Sequence, residues 1–246
     1  MKQLQNHPAF FADIHLHMLY GTDDGPKTPE QMTAMFDAAY EAGTRLFCLT
    51  PHFHLGLFGD NRAASETAFS QLLAYARERD PNTVLLLGNE LRYGPAAVEW
   101  LEQGLCRTMD QGRLVLVDFH EDEEENTVKT ALYRLLNAGY RPILAHAERY
   151  HKLSRSWTLF EDLKSKGILI QINGNSIFGQ WSRSAKKLSR QLLARRLADL
   201  VCSDAHNTGS RPPELQKAYR FVAARYGSAY ARRLFYENAA GLLTHN

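Results

Sequence analysis

Residues 10–17 read Phe10-Phe11-Ala12-Asp13-Ile14-His15-Leu16-His17, an apolar β-prone run ending in two imidazoles one residue apart. Successive side chains of an extended chain alternate between faces, so His15 and His17 leave the same side and can reach one metal ion. Six further short apolar runs cover residues 45–50, 84–90, 114–119, 142–146, 168–173 and 200–204. Longer amphipathic stretches separate them, at 28–42, 63–79, 96–105, 123–138, 157–166, 183–196 and 213–224. Thr28-Pro29-Glu30-Gln31 places an N-cap, a first-turn proline and a capping-box glutamine at a helix start, and Gly43, Gly139 and Gly167 sit where C-caps belong. Such alternation predicts βα units around a parallel sheet, and 246 residues are enough for them to form a barrel. We expect an α/β barrel, with residues 1–246 as one domain.

Composition narrows the function. With 44% hydrophobic and 23% charged residues the chain is neither disordered nor collagen-like nor a disulfide scaffold. A formal net charge of +2 gives no sign of a nucleic-acid or anionic-membrane surface. Cys48, Cys106 and Cys202 are odd in number and lack CxxC spacing, which fits a reducing compartment. The opening Met1-Lys2-Gln3-Leu4-Gln5 has no apolar core of a signal peptide, and no window approaches the ~18 apolar residues of a membrane span. The expectation is a cytoplasmic protein without membrane insertion.

Polar residues fall at or just past the carboxyl ends of the runs: His15 and His17, His52, Glu90, Asp118, His146 with Glu148, and Asp204 with His206. In a parallel barrel those ends converge on the face that hosts active sites. Nitrogen and carboxylate donors without thiolate suit Mn²⁺, Fe²⁺ or Zn²⁺, and so many donors exceed the needs of one ion, so two or three are expected. The bland alternative is satisfied core histidines and capping acids. Burying that many imidazoles and carboxylates together without counter-ions would be costly, which favours metals.

Other residues carry weaker signals. His54 could join the cluster or point to solvent, while His7, His120, His151 and His245 lack a motif and read as surface residues. Asp23-Asp24-Gly25 reads first as turn chemistry and second as an orienting element. Cys48 and Cys202 lie inside apolar runs, and Cys106 lacks the glycine-rich, arginine-terminated loop of a cysteine phosphatase. Phe53, Phe58, Tyr93, Phe178 and Trp181 follow strand runs, where they either pack the core or line a slot for an aromatic ring. The basic stretch 183–196 reads as a solvated amphipathic helix, leaving open a docking face for an acidic or phosphorylated tail.

Taken together, Asp13-Ile-His-Leu-His17, Gly21-Thr-Asp-Asp-Gly25, Thr50-Pro-His52, Gly88-Asn-Glu90, Ala145-His-Ala-Glu-Arg149, Ser203-Asp-Ala-His-Asn207 and Ser210-Arg-Pro-Pro213 resemble the polymerase and histidinol phosphatase (PHP) superfamily. Within it the chain is similar to the bacterial manganese-dependent protein tyrosine phosphatases of capsule and exopolysaccharide operons. The resemblance runs from about Asp13 to the Asn238-Ala-Ala-Gly-Leu-Leu243 tail. It implies a distorted seven-stranded (β/α)7 PHP-type barrel, up to three metal ions with Mn²⁺ foremost, and hydrolysis of phosphotyrosine on the tyrosine-rich tail of a bacterial tyrosine autokinase. The matched ligand positions are His15, His17, His52, Glu90, His146, Asp204 and His206. Two departures stand out: the family has His-Pro-Glu-Arg where this chain has His146-Ala147-Glu148-Arg149, and it commonly has glutamate where Asp118 aligns.

Arg149 and Arg211 each closely follow a ligand-bearing motif, and a planar guanidinium suits phosphate oxygens. The resemblance also places phosphate-binding arginines there, against the alternative of salt bridges to acids such as Glu148. Three readings compete: the metal-dependent tyrosine phosphatase, a small-molecule phosphoesterase of the histidinol-phosphate kind on the same barrel, and a non-catalytic metal-binding module.

Overall fold

Each of the seven apolar runs forms strand; the third is broken in two, and a further two-residue strand follows the second. The strands are β1 (Phe11–Asp13), β2 (Thr44–Leu49), β3 (His52–Phe53), β4 (Val84–Leu87), β5 (Glu90–Arg92), β6 (Leu114–Asp118), β7 (Arg141–Leu144), β8 (Leu169–Asn173) and β9 (Leu200–Cys202). This is a computed structural model, and it describes residues 10–154 and 156–243, the side chain of Asp110 excepted. His7 and His245 lie outside the described residues.

All pairings are parallel, in the orders β1-β2-β4 and β3-β5-β6-β7-β8-β9. Between β2 and β3 stands Pro51, which has no N–H to give to a ladder. The rungs continue across both breaks nonetheless, with Gly88 N donating to Leu49 O (2.9 Å) and Glu90 N to Pro51 O (3.1 Å). The last unit returns to the first through a parallel bridge between Leu16 and Ala205 and a 2.8 Å bond from His17 N to Ala205 O. Seven units therefore follow one another around the curled sheet in chain order. The distortion has a location: β4 ladders only with β2 among the described residues, and the Met109–Gln111 turn sits beside its other edge. A Cβ on Gly88 would lie 3.2 Å from Met109 Cα, so the turn packs tightly against this seam.

Helices cover the outside: α1 (Pro29–Glu41), α2 (Leu55–Phe58), α3 (Arg62–Arg79), α4 (Ala97–Glu102), α5 (Glu125–Asn137), α6 (Trp157–Ser165), α7 (Arg183–Ala194), α8 (Gln216–Tyr226), α9 (Ser228–Arg232) and α10 (Asn238–Leu243). Thr28 caps α1 by accepting from Gln31 N, as its sequence predicts. The expected helix at 213–224 starts at Gln216 instead, because Pro212 and Pro213 hold the preceding backbone out of the helical region. The three short helices α2, α9 and α10 lie outside the expected alternation.

Burial explains how the fold carries a site. Ile14, Leu46, Cys48, Leu114, Leu116, Ile143, Ala145, Leu200 and Cys202 pack together inside the sheet. One pleat beyond these residues, on the same face by the period of two, come Asp118 after Leu116 and Asp204 after Cys202. Apolar layers thus floor a polar layer at the carboxyl ends. The three cysteines are buried and form no disulfide. Among the described residues no helix is long and apolar enough to cross a membrane.

Candidate metal centre and phosphate cleft

His15 and His17 follow β1 directly, and neither side chain is solvent-exposed. Each is held by its Nδ1. His15 Nδ1 lies 3.0 Å from Gln171 Oε1, an oxygen that also accepts from His146 N at 2.7 Å. His17 Nδ1 lies 2.7 Å from Asp23 Oδ2, which also accepts from His52 N at 2.9 Å. With Nδ1–H given to an acceptor, Nε2 carries the lone pair, the arrangement seen in metal-ligating histidines.

Those Nε2 atoms converge on two carboxylates. Glu90 Oε1 is 2.8 Å from His146 Nε2 and 3.3 Å from His15 Nε2, while Glu90 Oε2 is 2.9 Å from His52 Nδ1 and 3.1 Å from His17 Nε2. Asp204 Oδ1 stands 3.5 Å from both His15 Nε2 and His17 Nε2. On the outer side, Asp24 Oδ1 is 3.2 Å from His206 Nε2 and 3.6 Å from His52 Nε2. Three donor sets close enough for one ion each result: His15, Glu90 and His146; His15, His17 and Asp204; His17, Asp24, His52 and His206. His15 Nε2, His17 Nε2, His206 Nε2 and Glu90 Oε2 are buried without a hydrogen bond. Buried polar atoms are normally satisfied, so an inward-facing set of orphaned donors fits bound cations. His146 (φ 30°) and Asp204 (φ 52°) sit in the left-handed region, backbone strain of the kind that collects at functional sites.

Without a metal, burial lowers the His15 and His17 imidazoles but the carboxylates outweigh it, Glu90 and Asp204 raising His15 and Asp23 and Asp204 raising His17 well above the ordinary value, so the site attracts positive charge that a metal ion would supply in place of the protons. Burial would raise the Glu90 carboxyl, but His15, His52 and His146 hold it well below the usual carboxylate range. Asp204 is likewise held far down against its burial by Arg149, His15 and Arg211. Burial and the neighbouring His17 depress His206 to about 4, leaving its imidazole neutral and able to ligate. Burial pushes the Cys106 and Cys202 thiols up, away from the thiolate a nucleophile needs.

The centre opens into a cleft of about 350 Å³ whose walls include His52, Asp118, His146, Arg149, Trp181 and Arg211. Both sequence-marked arginines pair with Asp204, Arg211 Nη2 at 2.9 Å from Oδ1 and Arg149 Nη2 on Oδ2, while Glu148 acts on Arg149 through its charge. The Arg149 guanidinium lies 3.8 Å from the centroid of Trp181, which is 43% exposed. A larger cavity of about 610 Å³ lies away from these groups, between α3 and β4.

Seven of the eight sequence-marked ligands thus gather in metal-sized sets. Asp118 is in none of the sets among the described residues; it pairs with Arg92 Nη2 at 2.8 Å and stands 3.5 Å from His146 Nε2. His54 stays outside them too, and His120 and His151 are exposed. Of the five aromatics, Phe58 stacks on His52 (5.4 Å between centroids) and Trp181 lines the cleft. Phe53, Tyr93 and Phe178 pack on Trp100, Phe119 and Phe221. Residues 183–194 form α7 with Leu188, Leu192 and Leu193 buried, the amphipathic helix expected. Sequence reasoning missed Gln171, Asn173 and Arg92. Asn173 Nδ2 donates to Asp204 Oδ2 (2.8 Å), and its side-chain oxygen accepts from Gln171 Nε2 (2.8 Å). The signal available for all three was their i, i+2 placement at a strand end, the same one that marked His15 and His17.

Comparison with known proteins agrees. The chain matches the family described as capsular polysaccharide synthesis, CpsB/CapC, over residues 11–244. It is 33% identical over 231 residues to the tyrosine-protein phosphatase CpsB of Streptococcus pneumoniae, covering 92% of this chain and 95% of that one. It is 31% identical over 232 residues to the tyrosine-protein phosphatase YwqE of Bacillus subtilis, covering 94% and 91%. Among solved structures, those of YwqE from B. subtilis and CpsB from S. pneumoniae, described as unique metal-dependent tyrosine phosphatases, give a match with TM-score 0.86 at 29% identity, covering 96% of this chain and 95% of the other.

Proposed function

The chain belongs to the CpsB/CapC family of capsular polysaccharide synthesis and is a metal-dependent tyrosine-protein phosphatase; on that premise we propose that it removes phosphate from the tyrosine-rich tail of a bacterial tyrosine autokinase. The observation that carries the reading is the buried set of orphaned imidazole nitrogens and the Glu90 oxygen facing one another at the floor of a cleft walled by Arg149, Trp181 and Arg211. In this proposal His15, His17, His52, Glu90, His146, Asp204 and His206 hold two or three ions, with Asp24 joining at the outer set. Mn²⁺ is the proposed occupant, and the nitrogen and carboxylate donors would also take Fe²⁺ or Zn²⁺.

Bound ions would supply an activated water and neutralise the phosphoryl oxygens. The chain's own part is positioning. Gln171 and Asp23 fix the tautomers of His15 and His17. Arg149 and Arg211, steered by Asp204, present guanidinium donors to the non-bridging oxygens. Trp181, which lines the cleft, and Phe58, stacked on His52, offer aromatic surface for the tyrosine ring. Phenolate leaves more readily than an alkoxide, so no strong general acid is required on the leaving-group side.

The test compares turnover of a phosphotyrosine peptide, a phosphoserine peptide and histidinol phosphate by the Mn²⁺-loaded protein. Preference for phosphotyrosine supports the reading, and a strong preference for histidinol phosphate would move the substrate to the small-molecule class. Arg149→Ala should lower kcat/KM by about 10²-fold or more, as loss of one preorganised donor does elsewhere; full turnover by this variant would remove Arg149 from phosphate binding.

A further inference from the structure

Glu90 and Arg92 are two residues apart on β5, so both side chains face inward. The β5–β6 register sets Arg92 directly opposite Asp118. Across that pair Arg92 Nη2 reaches Asp118 Oδ2 at 2.8 Å, and Tyr150 Oη contacts the other oxygen, Asp118 Oδ1, at 3.3 Å. Asp118 thus spends one oxygen on a guanidinium and the other on a phenol, and although His146 Nε2 stands 3.5 Å from it, Asp118 belongs to none of the donor sets among the described residues. Arg92 lines the same cleft as Arg149 and Arg211, and its side chain is 35% exposed against 8% and 26% for theirs. Its Nε is buried without a hydrogen bond, so the guanidinium keeps donor capacity that Asp118 does not use. Glu121 and Asp122 line the same cleft and repel any entering anion, so a phosphoryl group arriving there needs the guanidinium charge that Arg92 supplies.

We propose that Arg92 is a third phosphoryl-binding residue of the cleft, and that Asp118 anchors it rather than ligating a metal. The inference rests on the phosphatase reading. A guanidinium held by a carboxylate on the adjacent strand is preorganised, which is how a phosphate-binding arginine gains affinity without losing side-chain freedom at each turnover.

The test uses the metal-loaded wild type with Arg92→Ala, Arg92→Lys and Asp118→Asn. For each, steady-state kinetics on a phosphotyrosine peptide, inhibition by inorganic phosphate and metal content by elemental analysis are read together. Loss of a charge-assisted contact predicts that Arg92→Ala raises KM and the phosphate inhibition constant roughly ten- to hundredfold with metals per chain unchanged. Arg92→Lys should recover only part of this, since an ammonium cannot reproduce the planar fork. Asp118→Asn should keep the wild-type metal content and weaken phosphate in the same direction as Arg92→Ala. Unchanged phosphate inhibition in Arg92→Ala overturns the binding role, and loss of one metal equivalent in Asp118→Asn overturns the anchoring role. If the wild type turned over no phosphotyrosine, the reaction assignment would fall instead; calorimetric titration of inorganic phosphate into the same proteins would then decide Arg92 by loss or retention of affinity.

Discussion

Asp23 accepts at one oxygen from both His17 Nδ1 (2.7 Å) and His52 N (2.9 Å), and at the other from Gly25 N (3.0 Å). Burial would raise this carboxyl, yet His17 and His52 hold it down at about 2, so it stays ionised behind the imidazole. Removing such an outer partner typically costs 10- to 100-fold in metal affinity, and Asp23→Asn is expected to do the same in a metal titration followed by elemental analysis. His206 sets a pH dependence. Its value falls from 6.5 to about 4 on folding, so in metal-free protein its contribution to stability is present above 6.5 and is lost as the pH falls from 6.5 through about 4. Urea denaturation between pH 4 and 7 should show this slope, and His206→Gln should flatten it. Individual ligands were legible because histidines and carboxylates at strand ends have few other uses. Asp23 read first as a turn residue and proved to be both turn and orienter. Gln171 and Asn173 escaped notice because their i, i+2 spacing at a strand end was weighed only for imidazoles and carboxylates, and an amide's role shows once its neighbours in space are known.

The loop after β1 shows what elements contribute. A Cβ on Gly25 would sit 2.4 Å from the His17 carbonyl oxygen, and that atom is backbone, so nothing flexible can yield. The glycine of Asp23-Asp24-Gly25 therefore permits a close approach that folds both acids back over the imidazoles. Gly25→Ala should cost about 1–3 kcal/mol by thermal denaturation and weaken the outer donor set of His17, Asp24, His52 and His206, with a larger loss of metal than of secondary structure. Strand existence was legible from apolar runs at the right spacing, but the extra strand after the second run and the break within the third were not. Thr50-Pro51 and Gly88-Asn89 stand at the breaks, but they read equally well as strand ends, and only the Met109–Gln111 turn wedged at the seam reveals why β4 and β6 do not ladder. Helix α2 was equally hidden, since Leu55–Phe58 is too short for any periodicity.

At the level of the whole molecule, alternation of runs and helices sufficed for the α/β barrel, because each unit must bury one face against its neighbours whatever the local detail. The sheet then brings into one cluster His15, Glu90, His146 and Asp204, residues that are far apart in sequence. Because that cluster exists only in the folded chain, bound ions should stabilise it: at a free metal concentration 100 times the dissociation constant the gain is about 2.7 kcal/mol, read as a fall in Tm on chelation. An unchanged Tm after complete metal removal would argue against ions at the barrel mouth. The most direct test of the central claim is phosphotyrosine-peptide turnover by one preparation measured three times: as purified, after EDTA, and after Mn²⁺ is restored. The account predicts that EDTA abolishes turnover and Mn²⁺ returns it; full turnover by protein shown to be metal-free would contradict it.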